Sequence, residues 1–116
     1  MAGLIPLLLV VAIALGQASR YRKATALVSD GNRLRDEGKL GDAIEQYRAA
    51  SRLAPRWAEP FAEWGTALAG SGKPVEAEEP LRAALLRDPN HVSAVTNLGS
   101  VLQVANRREE SLTFLR

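Results

Sequence analysis

The side chains able to do chemistry are few in this sequence, and their spacing works against a catalytic centre. There is one histidine, His91, and no cysteine among the 116 residues. Thiolate nucleophiles, disulfides and Cys-based zinc sites are therefore excluded from this chain. His91 follows the breaker Asp88-Pro89-Asn90, which predicts a solvated loop residue without the partners a metal ion needs. Carboxylates can serve as general acid and base, but Glu78-Glu79 and Glu109-Glu110 are sequence neighbours. On a helix such neighbours point about 100° apart, and both pairs read as solvated. No Ser–His–acid set and no glycine loop that could cradle a phosphate is present. The expectation is no enzyme, no cofactor and no metal, and a function that rests on surfaces.

Surfaces need elements to carry them, and charge divides the chain in two. Residues Ala2 to Ser19 contain no charged side chain, and Leu4 to Leu15 is apolar throughout. The formal balance is +2, but Arg20, Arg22 and Lys23 follow the apolar run directly. Without them the 15 basic groups fall to 12 against 13 acidic ones, a net of −1. A nucleic-acid binder needs a basic face that neutralises several phosphates. Such a face is missing, so nucleic acid is not an expected partner.

Two readings compete for residues 1–23. As a signal peptide, the 12-residue apolar core fits and Gly16-Gln17-Ala18 offers small residues for cleavage, but no Lys or Arg precedes the core. As a single-pass anchor, the 18 uncharged residues at about 1.5 Å each reach roughly 27 Å, slightly short of a hydrocarbon core of about 30 Å. Arg20, Arg22 and Lys23 can snorkel and Tyr21 suits the interface, which closes that gap. The anchor is the favoured expectation, with Arg20, Tyr21, Arg22 and Lys23 at the membrane interface. Basic residues on the C-terminal flank alone predict that the following domain stays cytoplasmic. A cleaved signal would place it in the periplasm or outside the cell.

Beyond residue 23, residue types return at an offset of 34. Gly31, Gly65 and Gly99 form one series, and Leu34, Leu68 and Leu102 another. Ala43, Ala77 and Ser111 form a third, Tyr47, Leu81 and Leu115 a fourth, Ala50 and Ala84 a fifth, and Pro55 and Pro89 a sixth. Turn residues Gly38, Gly72 and Asn106 also align. Leu27, Gly31 and Leu34 fall on one stripe of a helix, as do Ala43, Tyr47 and Ala50 on a second. Small residues on both stripes let the two backbones approach. Gly38 and Gly72 suit a turn that needs positive φ, and Pro55 and Pro89 end the second helix. Each unit buries one face on its own partner helix and needs a neighbouring unit for the rest.

These series resemble the tetratricopeptide repeat family over residues 24–57, 58–91 and 92–116, the last incomplete. The resemblance implies an all-α fold: antiparallel helix pairs stacked into a right-handed solenoid of about two and a half repeats, behind the N-terminal transmembrane or signal helix. It also implies a concave groove, lined by the first helix of each repeat, that holds peptide or protein segments. The groove positions include Asn32, Arg35, Glu63, Thr66, Asn97, Ser100 and Gln103, with Val28, Glu59 and Ala62 among the others. Chaperone-binding members clamp a C-terminal carboxylate with lysine, arginine and asparagine. Here Asn32 fits, but Val28 stands at the lysine position and Glu63 at the second asparagine position, so that clamp is not expected.

Three features depart from the pattern. Asp30 takes an apolar position that Trp64 and Leu98 hold in the other repeats. Pro80 lies inside the second helix of repeat two, where proline costs about 3 kcal/mol or bends the helix. The third repeat is expected to turn at Asn106 and to end some ten residues into its second helix, leaving Leu112, Phe114 and Leu115 uncovered unless a partner or further chain caps them. Trp57, between repeats, is the aromatic that repeat packing accounts for least. The functional expectation is a membrane-anchored protein–protein interaction module, an accessory subunit or scaffolding factor of a membrane complex. The Ala-, Arg- and Gly-rich composition suits a bacterial source. The alternatives are an exported repeat protein in envelope or secretion assembly and a regulatory fragment of a larger enzyme.

Overall fold

The computed structural model describes residues 3–114 as five helices: α1 (Leu4–Asp36), α2 (Leu40–Leu53), α3 (Ala58–Gly70), α4 (Pro74–Arg87) and α5 (Val92–Phe114). Short loops fold consecutive helices back on one another. Each of α2 to α5 packs on the helix before it, and α5 also reaches back to α3.

The turns follow from the two aligned glycines. Gly38 and Gly72 adopt φ of +81° and +78°, the left-handed region that glycine enters without a Cβ penalty. The next N–H then turns back to the helix it leaves: Lys39 donates to the Leu34 carbonyl at 2.8 Å and Lys73 to the Leu68 carbonyl at 2.9 Å. Pro74 opens α4 at a position whose N–H has no helical partner in any case. α4 then runs unbroken through Pro80, which is buried.

Two cores result. One gathers Ala24, Val28, Ala43, Tyr47 and Ala50 between α1 and α2, with Ala67 of α3. The other gathers Ala62, Leu68, Ala77, Leu81, Ala84, Ala94, Leu98 and Val101 from α3, α4 and α5. Ile44 and Trp64 touch both and join them. The aligned small residues set the closeness of each pair. A Cβ on Gly31 would lie 2.5 Å from Tyr47 Cε1, and one on Gly65 would lie 2.5 Å from Leu81 Cγ. Asp30 is exposed, so the acid at that apolar position stays in water.

Three findings extend or correct the expectations. Residues 4–36 form one helix, so the N-terminal apolar segment is continuous with the first helix of repeat one. Nothing between Ala18 and Asp30 breaks a helix, which explains the fusion. Second, among the described residues no helix is long and apolar enough to cross a membrane. The apolar run stops at Leu15, and Gln17, Ser19, Arg20 and Arg22 follow within two turns. Third, α5 continues through Asn106 to Phe114 with no turn. Asparagine enters the left-handed region less readily than the glycines at the matching positions. The Ser111, Leu112 and Phe114 side chains and all of Leu115 lie outside what is described. Within the described part, Gly99 has nothing near its Cβ position, and Leu102 and Val104 are each 39% exposed.

Candidate functional site

The first helices α1, α3 and α5 lie side by side, and polar side chains cross from each to the next. Tyr47 Oη, rising from the core beneath, donates to Asn32 Oδ1 at 2.8 Å. Arg35 Nη1 donates to the same oxygen at 3.3 Å and to Glu63 Oε2 at 2.7 Å, which ties α1 to α3. Asn97 Nδ2 donates to Thr66 Oγ1 at 2.7 Å and to Ser93 Oγ at 3.3 Å, which ties α5 to α3. The Thr66 hydroxyl in turn donates to the Ala62 carbonyl. Asn32, Arg35, Glu63, Thr66 and Asn97 thus stand on a single face, already cross-linked.

The remaining groove positions diverge. Ser100 is exposed on α5 and bonds only the Thr96 carbonyl, at 3.2 Å. Gln103 lines a shallow hollow with Glu78 of α4, Gly99 and Leu102 at the open edge of the stack, away from the α3–α5 row. Val28 and Ala62 are core residues.

His91 is the principal residue that sequence reasoning misplaced. It is not a solvated loop side chain: only 15% of it is exposed. Nδ1 accepts the Ala94 N–H at 3.2 Å, capping α5, and Nε2 lies 2.8 Å from Glu59 Oε2. An acceptor at Nδ1 places the ring proton on Nε2, facing Glu59, so the ring links the start of α5 to the start of α3.

Charge in this face is held close. Burial raises the Glu63 carboxyl above its ordinary pKa; Arg35 opposes the shift and neighbouring Glu59 adds to it. For Arg35, burial pulls downward but Tyr47, Glu63 and Asp36 outweigh it, and the net shift is upward. Burial, with Glu63 next, pushes the Tyr47 phenol up to about 12. The middle of the face is therefore acidic at Glu59 and Glu63, with one cation, Arg35, largely neutralised.

A second cluster sits midway along α1, where the helix meets the α2–α3 loop. Tyr21 and Trp57 rings meet at 5.0 Å between centroids, inclined by 52°. Arg20, Tyr21, Arg22 and Lys23 are all exposed. Trp64 belongs to the repeat packing and carries the Arg48 guanidinium 5.5 Å from its ring.

No protein-family model matches the sequence, and no curated protein matches it. Solved structures do. The second TPR domain of Spaghetti (RPAP3), bound to the HSP90 peptide SRMEEVD, is 25% identical, with a TM-score of 0.75 over 84% of this chain and 89% of that one. The Arabidopsis OM64 TPR domain is 20% identical, with a TM-score of 0.73 over 78% of this chain and 75% of that one. The second TPR domain of human RPAP3, in complex with the HSP70 peptide SGPTIEEVD, is 26% identical, with a TM-score of 0.65 over 68% and 66%. The five helices of this chain therefore have the fold of tetratricopeptide repeat domains.

Proposed function

We propose that the chain is a protein-interaction module whose face of α1, α3 and α5 holds an extended peptide segment. The observation that carries the reading is the row of polar side chains, Asn32 to Asn97, fixed across three adjacent helices. Side chains held in place lose little freedom when they bind, which favours recognition. The RPAP3 domains that share the fold are solved with chaperone peptides, which supports a peptide as the occupant. Those peptides end in the acidic EEVD. Here Glu59 and Glu63 occupy the middle of the face, so the preferred segment is neutral or basic at that point.

Panning a displayed peptide library against the full chain tests this. Enriched peptides should be poor in Asp and Glu, lose binding to Glu63→Arg, and keep it with Arg82→Ala on α4. Peptides that bind Glu63→Arg equally well would remove the face from consideration.

The apolar start of α1 favours a finer reading, in which the module is held at a membrane surface and serves a membrane complex as an accessory or scaffolding subunit. Ile5, Leu7, Leu8, Leu9, Val10, Val11, Ile13 and Leu15 are between 47% and 73% exposed. Steps of about 100° distribute these positions around the whole helix. A protein groove covers one side of such a helix, whereas lipid covers every side. The basic flank at Arg20, Arg22 and Lys23 suits the anionic surface of a cytoplasmic leaflet, which supports the repeats lying on that side.

A further inference from the structure

We propose that the cleft between α1 and the α2–α3 loop is a binding site for the headgroup of an anionic phospholipid, with Arg20 and Arg56 on the phosphate and the Tyr21–Trp57 pair at headgroup depth. The proposal rests on the membrane reading above and adds to it that the repeat domain itself touches the bilayer, through a loop 36 residues further along the sequence than Tyr21.

The cleft encloses about 500 Å³ and is lined by Gln17, Arg20, Tyr21, Leu53, Arg56 and Trp57, together with the loop backbone at Ala54 and Pro55. It has two guanidinium groups, two amphipathic aromatic rings, an apolar floor at Leu53 and no carboxylate. A phosphate bearing acyl chains requires that mixture: bidentate donors for the anion and apolar surface beside them. Tyr and Trp prefer the boundary where one end of the ring is apolar and the other wet.

Cations without a carboxylate partner are concentrated at this end. Arg33, Arg35, Lys39, Arg48 and Arg82 each lie within 3.3 Å of a carboxylate oxygen. Among the described residues, Arg20, Arg22, Lys23, Arg52 and Arg56 form no ion pair within 4.0 Å; Lys73 and Arg87 also form none, but they do not line the cleft. Five cations without internal partners therefore lie near the base of the one helix segment that is apolar on all sides. Anionic lipid supplies the missing charge, at a strength that falls within a Debye length of the surface.

The spacing fits the bilayer's layers. With Leu15 at the hydrocarbon boundary, Tyr21 lies six residues or about 9 Å further out along the helix. Headgroup layers are roughly 5–8 Å deep, so a modest tilt brings Tyr21, and Trp57 against it, into that layer.

The test uses the full chain with Trp64→Phe, which leaves Trp57 as the only tryptophan. Flotation is measured with phosphatidylcholine vesicles, with and without phosphatidylglycerol, and with lipids brominated near the headgroup. The expected result is flotation favoured by phosphatidylglycerol, a blue shift and quenching of Trp57, and loss of about tenfold or more in affinity with Arg20→Gln/Arg56→Gln at low salt. Subtracting Trp57→Phe from the unmodified chain gives the same emission if Trp64→Phe folds poorly. Flotation without quenching of Trp57, and without an effect of the arginine pair, would overturn the site and leave membrane association standing. No flotation at all would overturn both. Saturation of the Trp57 response by soluble glycerol phosphate, with vesicles giving nothing further, would make the cleft a free-phosphate site and overturn the lipid assignment.

Discussion

Repeats one and two each have a glycine seat that the following helix fills; among the described residues nothing fills the third. At Gly31 the filler is Tyr47 and at Gly65 it is Leu81, each fully buried and each near enough that a Cβ would meet it at 2.5 Å. Gly99 belongs to the same 34-residue series, yet among the described residues nothing lies within 4 Å of its Cβ position. A glycine in a helix interior destabilises it by about 0.5–1 kcal/mol relative to alanine, so a packed glycine is retained for close approach and an unpacked one has no such return here. The difference shows that residue type alone does not decide what a repeat position does; the partner helix decides it. The fillers differ in kind as well. Leu81 needs only apolar neighbours, whereas Tyr47 buries a hydroxyl and depends on Asn32 to accept its hydrogen bond.

The comparison is broken most forcefully by emptying a filled seat. Leu81→Ala removes the side chain at the centre of the α3–α4–α5 core and should destabilise the chain by about 2–5 kcal/mol, measured by urea unfolding followed by circular dichroism. Gly65→Ala attacks the same seat from the other side. The atom it meets is the Leu81 branch carbon, with the Leu81 backbone nitrogen at 3.2 Å, so neither can swing away. A loss of about 1–3 kcal/mol is expected. The double variant Gly65→Ala/Leu81→Ala sharpens the case, since the added methyl partly refills the hole; its loss should be smaller than the sum of the two single losses. Strict additivity would mean the two residues do not share one space.

Much of this packing was legible from spacing. Spacing puts Ala43, Tyr47 and Ala50 on one stripe of a helix, and all three are fully buried. The 34-residue register puts Gly38 and Gly72 at turns, and both have positive φ. Interactions between elements were much less legible. The bond from His91 to Glu59 depends on where α5 starts relative to α3, and its signal in sequence, a histidine two residues after proline, also fits an ordinary loop. The Tyr21–Trp57 contact depends on α1 being continuous past Tyr21, which the change from apolar to charged composition at Arg20 concealed. Composition marks what a segment prefers as surroundings, while helix continuity follows from the absence of a breaker.

The Tyr47 seat has a pH signature that the Leu81 seat lacks. Folded, Tyr47 keeps its proton to about 12 against an ordinary value of 10. Between these values the unfolded chain binds fewer protons than the folded one. The Tyr47 contribution to stability is therefore full below pH 10 and is lost as pH rises towards 12. Titrating tyrosinate absorbance in Tyr21→Phe isolates Tyr47 and should show its ionisation coinciding with alkaline unfolding. Ionisation near pH 10 in a chain that stays folded would show that the Tyr47 hydroxyl is not sealed beneath α1.

Gly99→Ala carries the smallest expected effect and the most direct reading of the open seat. With no atom of the described residues within 4 Å of the new methyl, only helix propensity changes, and the chain should gain about 0.5–1 kcal/mol. Equilibrium unfolding beside Gly65→Ala would then show substitutions of opposite sign at two positions of one series. By the same 34-residue register the residue that would fill the third seat is Leu115, on a segment whose turn position holds Asn106. A loss of stability in Gly99→Ala would place that segment against Gly99, with α5 broken at Asn106, and the third repeat would be closed like the first two.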